Sequence, residues 1–354
     1  MKKALVAMSG GVDSAVTALL LKEMGYECIG VYFKMFDKSN PIFGFDKCSI
    51  NNDIDDAKAV CQRLGMKFFS FDAWEQFSHY VIKDFVETYE NGGTPNPCVV
   101  CNRNVKFKLL YDKMIELGCE VMATGHYAKV CHNEKSGRYI IKKADYINKD
   151  QSYMLYQLTQ EQLAHVIFPL GTMDKETARK IAEENNLVNA KKSDSQDICF
   201  IPNGEYSDFI KRFTNKSYPA GDFVDINGKA VGKHEGIVNY TIGQRRGLAV
   251  AMGERVYVKQ KDVKNNKIIL SNDKDLYEKE FYIEDFNPVA IDKITDGLRC
   301  SVKIRYSQKQ YDATVSLDGE KIKIIFDEPQ RAPTKGQSAV LYDGDIVLGG
   351  GMIE

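Results

Sequence analysis

The apolar and polar positions of this chain fall into two textures. From Lys3 to about Asn203, short apolar runs alternate with stretches of helical periodicity. Lys3–Met8 reads as a buried strand, and Val12, Val16, Leu19 and Leu20 then recur at helical spacing up to Gly25, a natural helix stop. Glu27–Met35 is a near-continuous apolar run of the kind found in parallel sheets. Phe36–Asn52, rich in Gly, Pro, Ser, Asn and Asp, predicts a long surface loop. Ile54, Ala57, Cys61 and Leu64 share one face of a helix expected to start near Asp53. A strand is expected over Lys67–Asp72, helices over Trp74–Tyr89 and Asn102–Leu117, and a strand over Glu120–Tyr127. Gln160–Asn186 reads as helix apart from a break at Pro169–Gly171. Such alternation predicts a doubly wound α/β domain with a parallel sheet, whose ligands gather at the carboxyl ends of the strands. From about Phe223 the texture changes to short β-type runs separated by turns such as DING, KDVKNN, SLDGE and YDGD.

Length changes this picture by adding domains. A chain of 354 residues is too long for one ordinary core. The change of texture beyond Asn203 marks one boundary, and two or three domains are expected. No apolar run approaches the roughly 18 residues that span a bilayer, and the N-terminus goes straight into a strand, so the expectation is a cytoplasmic protein with no membrane partner. Nine cysteines, an odd number, argue against a disulfide scaffold. A net charge of −1 neither requires nor excludes an RNA partner, because a local basic face suffices. Such a face is offered between Gln244 and Lys267, where seven Lys or Arg stand against two acidic residues.

The densest chemistry lies in Ser9-Gly10-Gly11-Val12-Asp13-Ser14, where a strand turns into a helix. That turn aims backbone N–H groups and the positive end of a helix dipole at one point, which suits phosphate. No Lys follows the glycines, so this is not the Walker loop. It resembles the PP-loop of ATP pyrophosphatases, which cut ATP between the α and β phosphates. Gly92–Asn102 (GGTPNPCVVCN) interrupts the helical pattern and predicts a shaped loop carrying Cys98 and Cys101. Alone, that C-x-x-C is compatible with a zinc half-site, a redox pair, cluster ligands or coincidence. Cys199, flanked by Ile198 and Phe200, reads by default as a buried structural thiol, and Cys28, Cys48, Cys61, Cys119, Cys131 and Cys300 receive the same reading.

Taken together, SGGVDS, TPNPCVVCN, ATGHYA, KDQSYML, SQDICFIP, YTIGQRRGL, FDEPQRAPTKGQ and YDGDIVLGGG resemble, in order and across nearly the whole chain, the tRNA-specific 2-thiouridylases of the MnmA family. The resemblance implies ATP-dependent replacement of the carbon-2 oxygen of the wobble uridine by sulfur in tRNAs for Lys, Glu and Gln. It implies a PP-loop catalytic domain over 1–203, a small central tRNA-binding domain over 204–275 and a C-terminal β-barrel over 276–354. Sulfur is expected from a sulfur carrier protein or a cysteine desulfurase. Carried over, Ala7, Met8, Ser9, Gly10, Gly11, Val12, Asp13, Ser14, Phe33 and Gly125 bind ATP, with Asp13 placed to hold Mg²⁺. Asn96, Pro97 and Cys98 meet the target base. His126, Lys149, Asp150, Gln151, Arg305, Tyr306 and Gln337 contact tRNA. Cys199 carries a persulfide and Cys101 is the second catalytic thiol, resolving it through a Cys101–Cys199 disulfide.

Two positions depart from the family pattern: Ala7 where many relatives have Gly, and Cys98 where many have Asp. The second leaves an alternative in which Cys98, Cys101 and Cys199 ligate an iron–sulfur cluster. Two rivals remain, another PP-loop ligase and a non-catalytic RNA-binding protein with a relic nucleotide fold. Neither uses Cys101 and Cys199, and the second has no need of an intact SGGVDS.

Overall fold

The computed structural model describes residues 1–45, 53–190, 192, 198–250 and 253–354. Parts of the expected Phe36–Asn52 loop and of the KKSDSQDICFIP stretch, and Cys48, lie outside them. Apolar β1 (Lys3–Ala7) and β2 (Glu27–Lys34) are joined by helix α1 (Val12–Glu23), and helix α2 (Asp53–Arg63) leads into β3 (Lys67–Asp72). With β4 (Val121–Ala123) and β7 (Val166–Ile167) they form a parallel sheet of order β3-β2-β1-β4-β7. Leu5, Ile29 and Val31 pack on one face of this sheet, and Ala4, Val6, Ala15 and Val16 on the other. The doubly wound arrangement puts the carboxyl end of β1 and the start of α1 at one edge.

The hairpin β5 (Lys129–Asn133) and β6 (Arg138–Lys142) leaves this domain and pairs with the last strand of the chain. The central unit is a four-stranded sheet of β8 (Gly221–Val224), β9 (Ala230–His234), β10 (Tyr257–Asp262) and β11 (Lys267–Ser271), in the order β10-β11-β8-β9. The C-terminal unit closes into a barrel of β12 (Tyr277–Pro288), β13 (Leu298–Lys303), β14 (Tyr311–Asp318), β15 (Lys321–Arg331), β16 (Ser338–Asp343) and β17 (Ile346–Ile353), because β12 pairs with both β15 and β17. One apolar cluster runs from Leu5 and Phe85 through Phe200 and Phe209 to Phe223 and Val258 of the central sheet and Val340 and Tyr342 of the barrel. The three units therefore share a core.

Three expected elements differ. The helix over 160–186 is instead a helix Gln160–His165, the strand β7, a 3₁₀ turn Pro169–Thr172 and a helix Lys175–Glu184. The strand over 120–127 shortens to β4, because Gly125 turns away to meet α1. The helical run from Trp74 to Glu90 contains a π-helical stretch, Phe77–Ile82.

Candidate active site

Gly11 caps α1 in an extended conformation, and Gly10 stands at φ +75, a region open to glycine at little cost. A side chain on Gly10 would also lie 2.4 Å from the carbonyl oxygen of Asp53. The Ser14 hydroxyl donates to the Gly11 carbonyl at 2.9 Å and accepts from the Ser9 N–H at 3.1 Å, so the serines first shape the turn itself. Its carbonyls are tied back by Asn189, whose amide donates to Gly11 at 2.9 Å and Gly10 at 3.3 Å, and by Lys192, which reaches Gly10 at 3.3 Å. With carbonyls held away, the first-turn N–H groups of α1, which no helix satisfies internally, define an anion cradle. Gly125 seals its side: a Cβ there would lie 2.8 Å from the backbone carbon and Cβ of Asp13 and 2.9 Å from the Ser14 nitrogen. Ala7 and Met8 end β1 at the cradle, and the Phe33 ring, on β2, packs 6.3 Å from that of Phe71.

Asp13 is the best-held side chain of the cradle. Lys175 Nζ lies 2.7 and 2.8 Å from its two oxygens, and the Tyr127 hydroxyl donates to one at 2.8 Å. So engaged, Asp13 does not fit a cation ligand as it stands. Asp53 sits on the other flank, bonded by Lys38 at 2.6 Å and Lys192 at 2.8 Å. Burial raises the Asp53 carboxyl, but the hydrogen bonds from Lys192 and Lys38 outweigh it and hold the group below the usual carboxylate range.

The expected loop carrying the C-x-x-C is shorter than its sequence suggests. Asn96 is the N-cap and Pro97 opens a helix, so Cys98 lies on the first turn and Cys101 at the end of a five-residue helix, Pro97–Cys101. Pro at this position is pre-set for helix, and the missing N–H costs nothing there. A π-helical turn, Asn102–Lys106, follows before the helix Phe107–Glu116. The wider turn brings Lys106 back over Cys101. Cys199 sits in an exposed turn whose next residue, Phe200, is locked edge-on against Phe77, Phe85 and Phe209 at 5.6, 5.4 and 5.1 Å. Cys98 and Cys199 keep open surface and Cys101 is half-buried.

Desolvation pushes the Cys199 thiol well up, and then Cys101 and Cys98, its neighbours, push it further; Lys106 and Lys38 act the other way. Cys101 is pushed up to about 11 by burial, against Lys106. Lys38 thus bonds Asp53 on the flank of the cradle and also lies near enough to act on Cys199, which places Cys199 on the Asp53 side of the cradle. Cys28, Cys61, Cys119 and Cys300 are buried in the folded cores and Cys131 is half-buried. Among the described residues no three Cys, His, Asp or Glu side chains converge as a metal-ligand set.

The residues expected to meet tRNA divide by placement. His126 Nδ1 is 2.6 Å from the Thr124 hydroxyl, its ring packs on Phe107 and Phe168, and burial followed by Lys106 drives it well below the usual range, which favours the neutral imidazole. Asp150 is buried and accepts from the Ala144 and Ser152 N–H groups at 3.0 and 3.2 Å. Gln151 accepts from the Tyr127 N–H at 3.0 Å, so this turn supports the tyrosine that holds Asp13. Lys149, itself half-buried, ends an otherwise exposed 3₁₀ turn, Ile147–Lys149. Arg305 donates to the Ala332 carbonyl at 3.2 Å and the Thr334 hydroxyl at 3.0 Å, and Tyr306 is exposed with Lys303 5.4 Å from its ring. Gln337 donates to the carbonyls of Thr94 and Pro95 at 3.0 and 2.9 Å.

Lys175, Tyr127, Asn189, Lys192 and Lys106 escape sequence reasoning. For Lys175 a signal exists: it is the first residue of a helix capped by Asp174, where the macrodipole disfavours a cation unless a carboxylate faces it.

A parallel α/β sheet ending in a glycine cradle, with two β units fused to it, defines a nucleotide-binding protein with appended β domains. Family profiles match in the same order: a tRNA methyl transferase HUP domain over residues 2–203, a tRNA methyl transferase PRC-barrel domain over 207–272 and an aminomethyltransferase beta-barrel domain over 278–353. The tRNA-specific 2-thiouridylase MnmA of Clostridioides difficile is 45% identical over 100% of this chain and 98% of its own. That of Acetivibrio thermocellus is 43% identical over 100% and 99%, and MnmA 1 of Caldanaerobacter subterraneus 45% over 99% and 98%. The chain belongs to the tRNA-specific 2-thiouridylase family, MnmA. No helix among the described residues is long and apolar enough to cross a membrane.

Proposed function

We propose that this protein replaces the carbon-2 oxygen of the wobble uridine of tRNAs for Lys, Glu and Gln by sulfur, using ATP. The observation that best supports the reading is that Cys101 and Cys98 lie close enough to Cys199 to act on its thiol, as does Lys38, which bonds Asp53 beside the Gly10 cradle. A uridine carbonyl oxygen is a poor leaving group, so it must first be activated. The cradle of Ala7–Ser14, closed by Gly125 and flanked by Phe33, holds ATP so that the oxygen attacks the α phosphate and pyrophosphate leaves. Lys175, beside Asp13, supplies fixed positive charge at the cradle. Mg²⁺ would neutralise phosphate charge when bound with the nucleotide.

Asn96, Pro97 and Cys98 receive the base, which an unpaired anticodon loop presents at little cost. Cys199 accepts a terminal sulfur from the persulfide of a sulfur carrier protein or cysteine desulfurase. That sulfur attacks carbon-2 and AMP departs with the oxygen. The Cys101 thiolate then attacks the Cys199 sulfur, releasing 2-thiouridine and leaving a Cys101–Cys199 disulfide, which an external dithiol reduces. His126, Lys149, Asp150, Gln151, Arg305, Tyr306 and Gln337 line or support the path of the RNA.

Nucleoside mass spectrometry of tRNA from a strain lacking the chromosomal copy tests this. Wild-type complementation restores 2-thiouridine, whereas Cys199→Ser and Cys101→Ser each leave it absent. Normal 2-thiouridine in either variant overturns the assignment.

A further inference from the structure

Lys261, on β10 of the central sheet, is 7% exposed and pairs with no carboxylate among the described residues. Burying an amine without a counter-charge is costly unless its donors are used. Here they are: Nζ donates to the Gly93 carbonyl at 3.3 Å and the Tyr240 carbonyl at 3.0 Å, and lies 5.1 Å from the centroid of the Tyr89 ring. Tyr89 in turn stacks on Tyr206, 4.8 Å away, at the entrance to the central unit.

Gly93 opens the segment that delivers Asn96, Pro97 and Cys98. The barrel holds the same segment from another side. The Thr94 N–H donates to the Lys335 carbonyl at 2.9 Å, and Gln337 takes the Thr94 and Pro95 carbonyls. The approach is close enough to demand glycine: a Cβ on Gly93 would lie 2.8 Å from the Lys335 oxygen, and one on Gly92 3.1 Å from Val263. A stretch with two glycines has much conformational freedom to lose. Its ordering comes from side chains of the two β units.

We propose that Lys261 is a positioning residue that fixes the Gly93–Cys98 segment to the central unit, so that an RNA seated on the β units and the helix that receives its base share one frame. The proposal rests on the thiolation reading. Its physical content is pre-organisation: a base-receiving helix already in register loses less freedom at the reactive step.

The test uses the full-length protein with Lys261→Met, which keeps the volume and removes the donors, and Lys261→Gln, which keeps a polar end. Steady-state thiolation of tRNA gives kcat and KM, and iodoacetamide labelling followed by peptide mass spectrometry gives the rate at each cysteine. We expect kcat for Lys261→Met to fall at least tenfold with KM for tRNA and ATP affinity within twofold, labelling of Cys98 and Cys101 to change at least threefold, and Lys261→Gln to lie between it and wild type. Labelling that stays at wild-type rates in both variants overturns the proposal. So does a uniform rise at every thiol, the buried Cys300 of the barrel included, which marks general loosening. Should wild-type protein leave tRNA unthiolated, the function fails while the labelling pattern still reports on Lys261.

Discussion

Lys175 closes on both carboxylate oxygens of Asp13 from a position 162 residues further along the chain. The pair ties the first turn of α1 to the first turn of the Lys175–Glu184 helix. It places a cation where departing pyrophosphate would gather negative charge, and the Tyr127 hydroxyl fixes its orientation.

Lys175→Met removes this charge while keeping the stem that packs at the helix start. Pyrophosphate release in the presence of tRNA should fall at least tenfold. Because Lys175 is nearly enclosed and Asp13 about one-third open, unfolding should cost less than a fully buried pair, about 1–3 kcal/mol. Urea titration beside a pyrophosphate assay checks both, and unchanged pyrophosphate release would remove Lys175 from the chemistry.

Gly125→Ala forces a methyl group against the backbone of Asp13 and Ser14. The strand end must shift, at a cost of about 1–3 kcal/mol, and ATP affinity should drop by an order of magnitude or more. Gly11→Ala is the internal control for stability, since its Cβ meets only the Ser9 hydroxyl at 3.4 Å and its backbone is extended. Its melting temperature should stay close to that of the wild type.

The raised thiols set a pH signature. A thiol whose folded value lies above its ordinary one is protonated at neutral pH, so alkylation of Cys101 should be slow at pH 7 and climb as pH approaches about 11. The linked stability effect has a definite sign: above the ordinary value of 9.0 the unfolded chain has already lost this proton and the folded one has not, so this group's contribution falls as pH rises toward about 11. Lys106→Met withdraws the cation that opposes burial at Cys98, Cys101 and Cys199, and should slow labelling of all three severalfold at fixed pH.

Arg305, with Arg331 close by across Gly243, belongs to the seam between the central sheet and the barrel. Arg305→Ala should weaken tRNA binding and lower the slope of log affinity against log salt by about 1, leaving ATP binding alone. Filter binding across a salt series reads it directly.

How much of this was legible depends on range. Lys3–Ala7 and Val12–Glu23 were readable to within a residue or two, because a strand buried on both faces and a helix packed on it announce themselves locally, and Lys67–Asp72, an edge strand with little burial, was readable from its run of three phenylalanines. Val166–Ile167 was not: two residues become a strand only because β4 lies beside them. The C-x-x-C and the SGGVDS turn were conspicuous by residue type. Asn189, Lys192 and Lys175 were invisible, since each acts on the cradle from over 100 residues away and sits in an unremarkable polar helix or turn. Asp150 and Gln337, carried over as RNA contacts, hydrogen-bond to backbone groups of the protein itself, which no local pattern announces.

The hairpin Lys129–Lys142 has a consequence for anyone cutting this chain into pieces. It lends N-terminal backbone to the flank of the C-terminal strand, where Ile346 faces Lys142, and Arg138 grips the carbonyls of Pro288 and Val289. A barrel expressed from residue 276 onward would therefore lack a neighbour it was built against, and a catalytic fragment ending at 203 would carry an unpaired ribbon in solution. The units are separable on paper and interlocked in the molecule, and fragments of either kind are expected to self-associate along that orphaned edge.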